Sequence, residues 1–250
     1  MSINSKLPYF GQWHLANQSR FAETILFIHH FGGSSKTLRR HIEFVNELGF
    51  NAVSFQLEFN ELKFPMKLPL SAKSDFGIFA AWRDQIEVIL NLIPGNKIIF
   101  SFSNPSFSAI AAVALRHATD VQGCICDGGP ALNIIRSWWN LIGEKYKLKN
   151  FFFKAAMFPL GYIFIGPNFK SKVAKTLSSL PKGFPILSIR GWQDSLVPFE
   201  EIEAFFEGHS NIDLKVLSLP EGAHLDGLRN HRLEYVPAVT EFLTKNSLKV

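Results

Sequence analysis

At 250 residues, 47% hydrophobic and 19% charged, the chain has material for one large core and lacks the composition of a disordered protein. A net charge of +5 and a pI near 9.2 invite a nucleic-acid or membrane partner, yet no run of Lys and Arg forms a nucleic-acid arm. The two cysteines, Cys124 and Cys126, fall on one face of a period-2 strand, poorly placed to bridge, and read as reduced core residues of a cytoplasmic protein.

The first 14 residues, MSINSKLPYFGQWH, contain no charged segment followed by an apolar one, so no signal peptide is expected. A hairpin is the expectation for this N-terminal stretch. Residues 24–29 (TILFIH) form a continuous apolar run, as a strand buried on both faces requires, and end in the turn HHFGGS. Residues 35–48 show helical spacing through Leu38, Ile42, Phe44, Val45 and Leu48, and stop at Gly49. A strand follows at 51–56, then a polar, proline-bearing excursion over 57–74. Helix is predicted at 79–92, broken by Pro94-Gly95; strand at 97–102; helix at 105–117; strand at 121–126. Strands at 185–190 and 214–219 flank a helix at 198–207. Residues 232–245 close the chain as a helix, with Pro237 marking a kink or a late start. Strands alternating with helices predict a single α/β domain over 1–250: a mostly parallel sheet with helices on both faces.

The interval 131–182 breaks this rhythm. It holds Trp138, Trp139 and a cluster of phenylalanines, and its nine cations face the single acid Glu144. That balance of +8 leaves −3 for the remainder, so the positive charge belongs to the insertion. Its longest apolar stretch, 151–165, is interrupted by Lys154 and is shorter than the roughly 20 residues of a spanning helix. The expectation is a soluble or peripheral protein.

The chemistry concentrates at Phe102-Ser103-Asn104-Pro105, where a buried strand turns at once into a helix. A serine at that corner stands above the sheet edge, and the N–H of Asn104 starts a helix and can donate to a developing oxyanion. By itself such a serine is only a helix cap. Two further residues change its weight. Asp194 follows strand 185–190 in GWQDSLVP, and His224 follows strand 214–219 in PEGAH. A hydroxyl needs a base to become a nucleophile, and the base needs an acid to orient it. The order is Ser, Asp, His, each just past a strand's carboxyl end. A second oxyanion donor is available in the turn after the first strong strand, as the Phe31 N–H. Asp127, also past a strand end, is the rival acid; His209 and His231 are poorer bases, the first lying before a strand and the second at a helix start. His29 and His30 point apart with no third ligand in register, and Gly32-Gly33 lacks a phosphate-loop pattern, so no metal or organic cofactor is implied.

The stretches IHHFGGS, SFSNPS, GWQDSLVP and EGAH, in this order, resemble the α/β-hydrolase superfamily over nearly the whole chain. The resemblance implies nucleophile, acid and base roles for Ser103, Asp194 and His224, oxyanion donors at Phe31 and Asn104, and a helical cap at about 131–182 shaping an acyl pocket. Three departures stand out: Ser101 and Pro105 occupy the glycine positions of the usual Gly-x-Ser-x-Gly, and His30 replaces the glycine of a His-Gly turn. The expected activity is cleavage of a carboxylic ester or related acyl bond in a small-molecule or lipid substrate, with an apolar acyl group favoured by the aromatic cap. A basic aromatic cap also suits peripheral contact with an anionic membrane. The alternative is a catalytically silent member of the fold that binds a lipid, small ligand or protein.

Overall fold

A computed structural model describes residues 7–59, 77–145, 165 and 168–250. Alternation within the strands builds the architecture. All five residues of β2 (Thr24–Ile28) are buried. Leu26 and Ile28 join one apolar cluster, with Trp82, Ile110 and Phe205; Ile25 and Phe27 join another, with Val45, Tyr235 and Phe242. A strand that is apolar on both sides needs cover on both sides, and helices supply it. α2 (Ile78–Leu92), α3 (Ser106–Leu115) and α6 (Phe199–Phe206) cover the first face, while α1 (Arg39–Leu48) and α8 (Arg232–Lys245) cover the second. Many of the 25 phenylalanines are spent here. Phe27, Phe100 and Phe102 stack at centroid separations of 5.3 Å and 5.1 Å along the second face.

The seven strands run β1-β3-β2-β4-β5-β6-β7, where β1 is Gln12–His14, β3 Asn51–Ser54, β4 Lys97–Phe102, β5 Val121–Asp127, β6 Phe184–Gly191 and β7 Ile212–Leu219. Every pairing is parallel except β1 with β3. The chain moves from β2 outward to β3 and then returns to β4 on the other side of β2. That reversal opens a crevice beyond the carboxyl ends of β2 and β4, where doubly wound sheets place their ligands.

The predicted strands and helices, the closing helix at 232–245 among them, fall close to their expected ranges, with one correction. The N-terminal stretch forms no hairpin among the described residues; its single strand pairs antiparallel with the far edge of β3. Helix α8 begins at Arg232 and runs through Pro237. The missing proline N–H deprives only the Leu233 carbonyl, and Leu233 is 89% exposed, where water can serve it.

Most of the excursion after β3 lies outside the described residues, as does the middle of the interval 131–182, namely 146–164 with 166 and 167. Its two ends are described. α4 (Ile134–Lys145) follows β5, and α5 (Phe169–Ser178) leads towards β6. The Phe169 ring lies 4.9 Å from that of Phe107 on α3, and Leu177 is fully buried. The second end of the interval is therefore part of the layer covering the sheet. α7 (Gly227–Asn230) is a single short turn before α8. Among the described residues no helix is long and apolar enough to cross a membrane.

Candidate active site

Ser103 is the first residue past β4, and its φ of 59° is left-handed, a conformation that costs an L-residue roughly 1–2 kcal/mol. The surroundings hold it there. Its N–H donates to the Asp127 carbonyl at 2.7 Å, and its own carbonyl accepts from Ser106 N–H as α3 begins. Pro105 precedes α3 with φ −55°, a position that needs no N–H, so proline is well accommodated. Ser101 is fully buried and its hydroxyl donates to the Ile125 carbonyl at 2.9 Å. Neither replaced glycine position is the tight one. The close approach falls on Gly129, where a Cβ would lie 2.5 Å from both the carbonyl carbon and the oxygen of Ser103. Only glycine lets the chain leaving β5 press against this corner.

Asp194 and His224 come together from adjacent strand ends. The turn after β6 is laced to the turn after β7: Trp192 N–H donates to Leu219 and Gln193 N–H to Gly222. A Cβ on Gly191 would sit 2.5 Å from the Gly222 oxygen, so these turns interlock. Asp194 Oδ1 accepts the Leu196 and Val197 N–H groups at 2.9 Å and 2.8 Å; Oδ2 lies 2.6 Å from His224 Nδ1. That bond requires the proton on Nδ1 and leaves Nε2 with a free lone pair, the form a general base needs.

Ser103, Asn104 and His224 line one cavity of about 560 Å³ with His30 and Phe31 from the turn after β2. The size is ordinary for a small-molecule site. Its wall is aromatic and aliphatic: the Phe31 ring meets Phe59, Trp82 and Trp138 edge-on at 5.5–6.0 Å, and α4 adds Ile134 and Leu141. Beside the imidazoles, no ionisable side chain lines it among the described residues. Gly128 and Gly129 lie between Ser103 and His224, since a Cβ on Gly129 would meet the Ser103 backbone and one on Gly128 would touch the His224 ring at 3.5–3.6 Å. No hydrogen bond joins Ser103 and His224 to each other in this structure.

The other candidates separate clearly. His29 is structural: its Nδ1–H donates to the His30 carbonyl and its Nε2 accepts from Leu57 N–H, while burial lowers its pKa. Asp127 does not pair with His224. Its Oδ2 accepts the Tyr235 hydroxyl at 2.6 Å and lies 4.0 Å from His41 Nε2. Burial drives the Asp127 pKa up to about 7 and that of His41 down to about 3. Gly129, Tyr235 and His41 carry no sequence signal for this site. Gly129 lies in an ordinary Gly-Pro turn, and the other two sit on helices whose pattern reports only burial.

The sequence matches no protein-family model and no curated protein. Solved structures are similar. An esterase of Pyrococcus furiosus superposes with a TM-score of 0.65 at 19% identity, covering 94% of this chain and 85% of that one. A monoacylglycerol lipase of Paleococcus ferrophilus gives 0.65 at 16% identity, over 95% and 99%. Est1E from Butyrivibrio proteoclasticus gives 0.63 at 18% identity, over 94% and 93%. With the strand order and the strand–helix corner at Ser103, these likenesses identify the architecture: the chain has the α/β-hydrolase fold.

Proposed function

We propose that the protein is a serine hydrolase that cleaves a carboxylic ester or related acyl bond carrying an apolar acyl group. One observation carries the reading. A 2.6 Å Asp194–His224 pair and a serine in the left-handed elbow conformation open onto the same apolar cavity. His224 Nε2 takes the Ser103 proton as Oγ attacks the carbonyl carbon, and Asp194 offsets the charge of the resulting imidazolium. The Phe31 and Asn104 N–H groups receive the oxyanion. Collapse expels the alcohol, which takes the proton back from His224; water activated by the same ring then releases the acid and restores Ser103. That solved neighbours include esterases and a lipase supports this chemistry.

The test is labelling by a fluorophosphonate probe, expected for the wild type and lost in Ser103→Ala. A chain-length series of p-nitrophenyl esters then reports the depth of the pocket. A silent binding protein is the second reading, favoured by the open Ser103–His224 contact; a folded wild type that resists labelling under several conditions selects it. Membrane contact through the basic insertion is a separate proposal. Flotation with anionic but not neutral liposomes supports it, and absence from both removes it.

A further inference from the structure

Asp127 is an expensive residue. Its carboxyl is buried beside the Phe102 and His41 rings, and a buried carboxyl costs stability that an apolar side chain of similar size would not. Nor is it the acid that meets His224. Its contacts nevertheless reach both Ser103 and the loop that carries His224. Through its main chain it accepts the Ser103 N–H at 2.7 Å. Through its carboxyl it accepts the Tyr235 hydroxyl at 2.6 Å. The Tyr235 ring in turn seats the chain just after His224, because a Cβ on Gly227 would lie 2.5 Å from that ring. The residue after Asp127 abuts the His224 imidazole.

We propose that Asp127 is a positioning residue for the hydrolytic reaction: its main chain sets Ser103, and its carboxyl, through Tyr235, seats the loop that carries His224. This rests on the serine-hydrolase reading above. The physical reason for a polar link is direction. Apolar packing alone tolerates a small slide of α8 along the sheet, whereas a buried O–H···O bond has one favourable geometry and is costly to break. A displacement of the base by about 1 Å is enough to cost roughly 100-fold in rate.

The carboxyl also carries charge into the site. His41 on α1, Tyr235 on α8, Asp194 after β6, and His224 and Asp226 after β7 are the ionisable groups that face or act on it. Burial favours its neutral form up to about pH 7. Above that, the Asp127 carboxylate acts through space on the imidazolium formed when His224 takes the serine proton, and attraction between them favours the transition state.

The experiment compares kcat, KM and the pH profile of p-nitrophenyl ester hydrolysis in the wild type, Tyr235→Phe, Asp127→Ala and Asp127→Asn. Circular dichroism checks that each is folded, and fluorophosphonate labelling of wild type and Ser103→Ala runs alongside. Tyr235→Phe and Asp127→Ala are expected to lower kcat by about 10- to 100-fold with KM little changed. Asp127→Asn keeps the acceptor, so at pH 6 its kcat stays within a few-fold of the wild type. It lacks the wild type's further rise, about 2- to 5-fold, through pH 7. A folded Tyr235→Phe variant with wild-type kcat and wild-type pH profile overturns the proposal even if Asp127→Ala fails to fold. A wild type that does not label sinks the hydrolase reading and this one together, so the two failures are distinct.

Discussion

Two carboxyls end adjacent parallel strands, and the protein treats them in opposite ways. Asp194 leaves β6 into a turn that aims two backbone N–H groups at one oxygen and an imidazole at the other, so both of its carboxyl oxygens have hydrogen-bond partners. Asp127 ends β5 in an aromatic enclosure where a single tyrosine hydroxyl answers it, so its neutral form is favoured to about pH 7. The residue type is the same, but Asp127 is the last residue of β5 whereas Asp194 lies in the turn beyond the end of β6 at Gly191. What differs is the number of hydrogen-bond partners that reach each carboxyl: two backbone N–H groups and an imidazole at Asp194, one tyrosine hydroxyl at Asp127.

The sharpest way to break this contrast is Asp194→Asn. If Asp127 cannot take over, kcat should fall by about 10³- to 10⁴-fold with the fold intact; a loss of less than tenfold would show the second carboxyl substituting. Gly129→Ala comes next. The added methyl must displace the Ser103 carbonyl, so a loss of roughly 100-fold in fluorophosphonate labelling rate is expected, with about 1–3 kcal/mol of stability. An unchanged labelling rate would mean that the elbow has room to relax.

The smallest effect is thermodynamic and concerns Asp127 alone. Its pKa is raised from 3.8 to about 7, so the folded chain retains a proton that the unfolded chain releases. Its contribution to stability is complete below pH 3.8 and is lost as pH rises through 7. His41 slopes the other way: lowered from 6.5 to about 3, it contributes above pH 6.5 and loses that contribution as pH falls towards 3. Asp127→Asn removes the first slope and leaves the second. Relative to the wild type, the variant should gain on the order of a few kcal/mol between pH 4 and pH 8. Thermal melts would show this as a difference in Tm that grows by roughly 5 °C or more. A Tm difference constant with pH would mean that Asp127 is already ionised in the folded protein.

The placement of Ser103, Asp194 and His224 at one sheet edge was legible in the sequence. Ser103, Asp194 and His224 each follow a buried apolar run, and the order of runs and turns was enough to bring all three to one edge of a parallel sheet. The continuous apolar run over 24–29 marked a strand buried on both faces. Of the His29-His30 pair, read as structural, His29 is held by the backbone on both ring nitrogens, whereas His30 lines the cavity. Period and spacing carry such information because they are local: a strand's alternation and a turn's composition depend on residues a few positions apart.

Other features were decided in three dimensions. The glycine that lets the elbow form is Gly129, 26 residues from Ser103, and its role exists only because β5 lies beside β4. The choice between Asp127 and Asp194 rests on which turn donates two N–H groups and on Tyr235 arriving from a helix 108 positions away. The insertion's second end looked like part of a cap but packs on α3, because Phe169 finds Phe107 there. The sequence alone determined the strand-and-helix order and the edge at which Ser103, Asp194 and His224 gather, since those follow from short-range periodicity. Tertiary packing alone decided which carboxyl faces the imidazole and which glycine makes room for the serine, because both depend on contacts between residues distant in the chain.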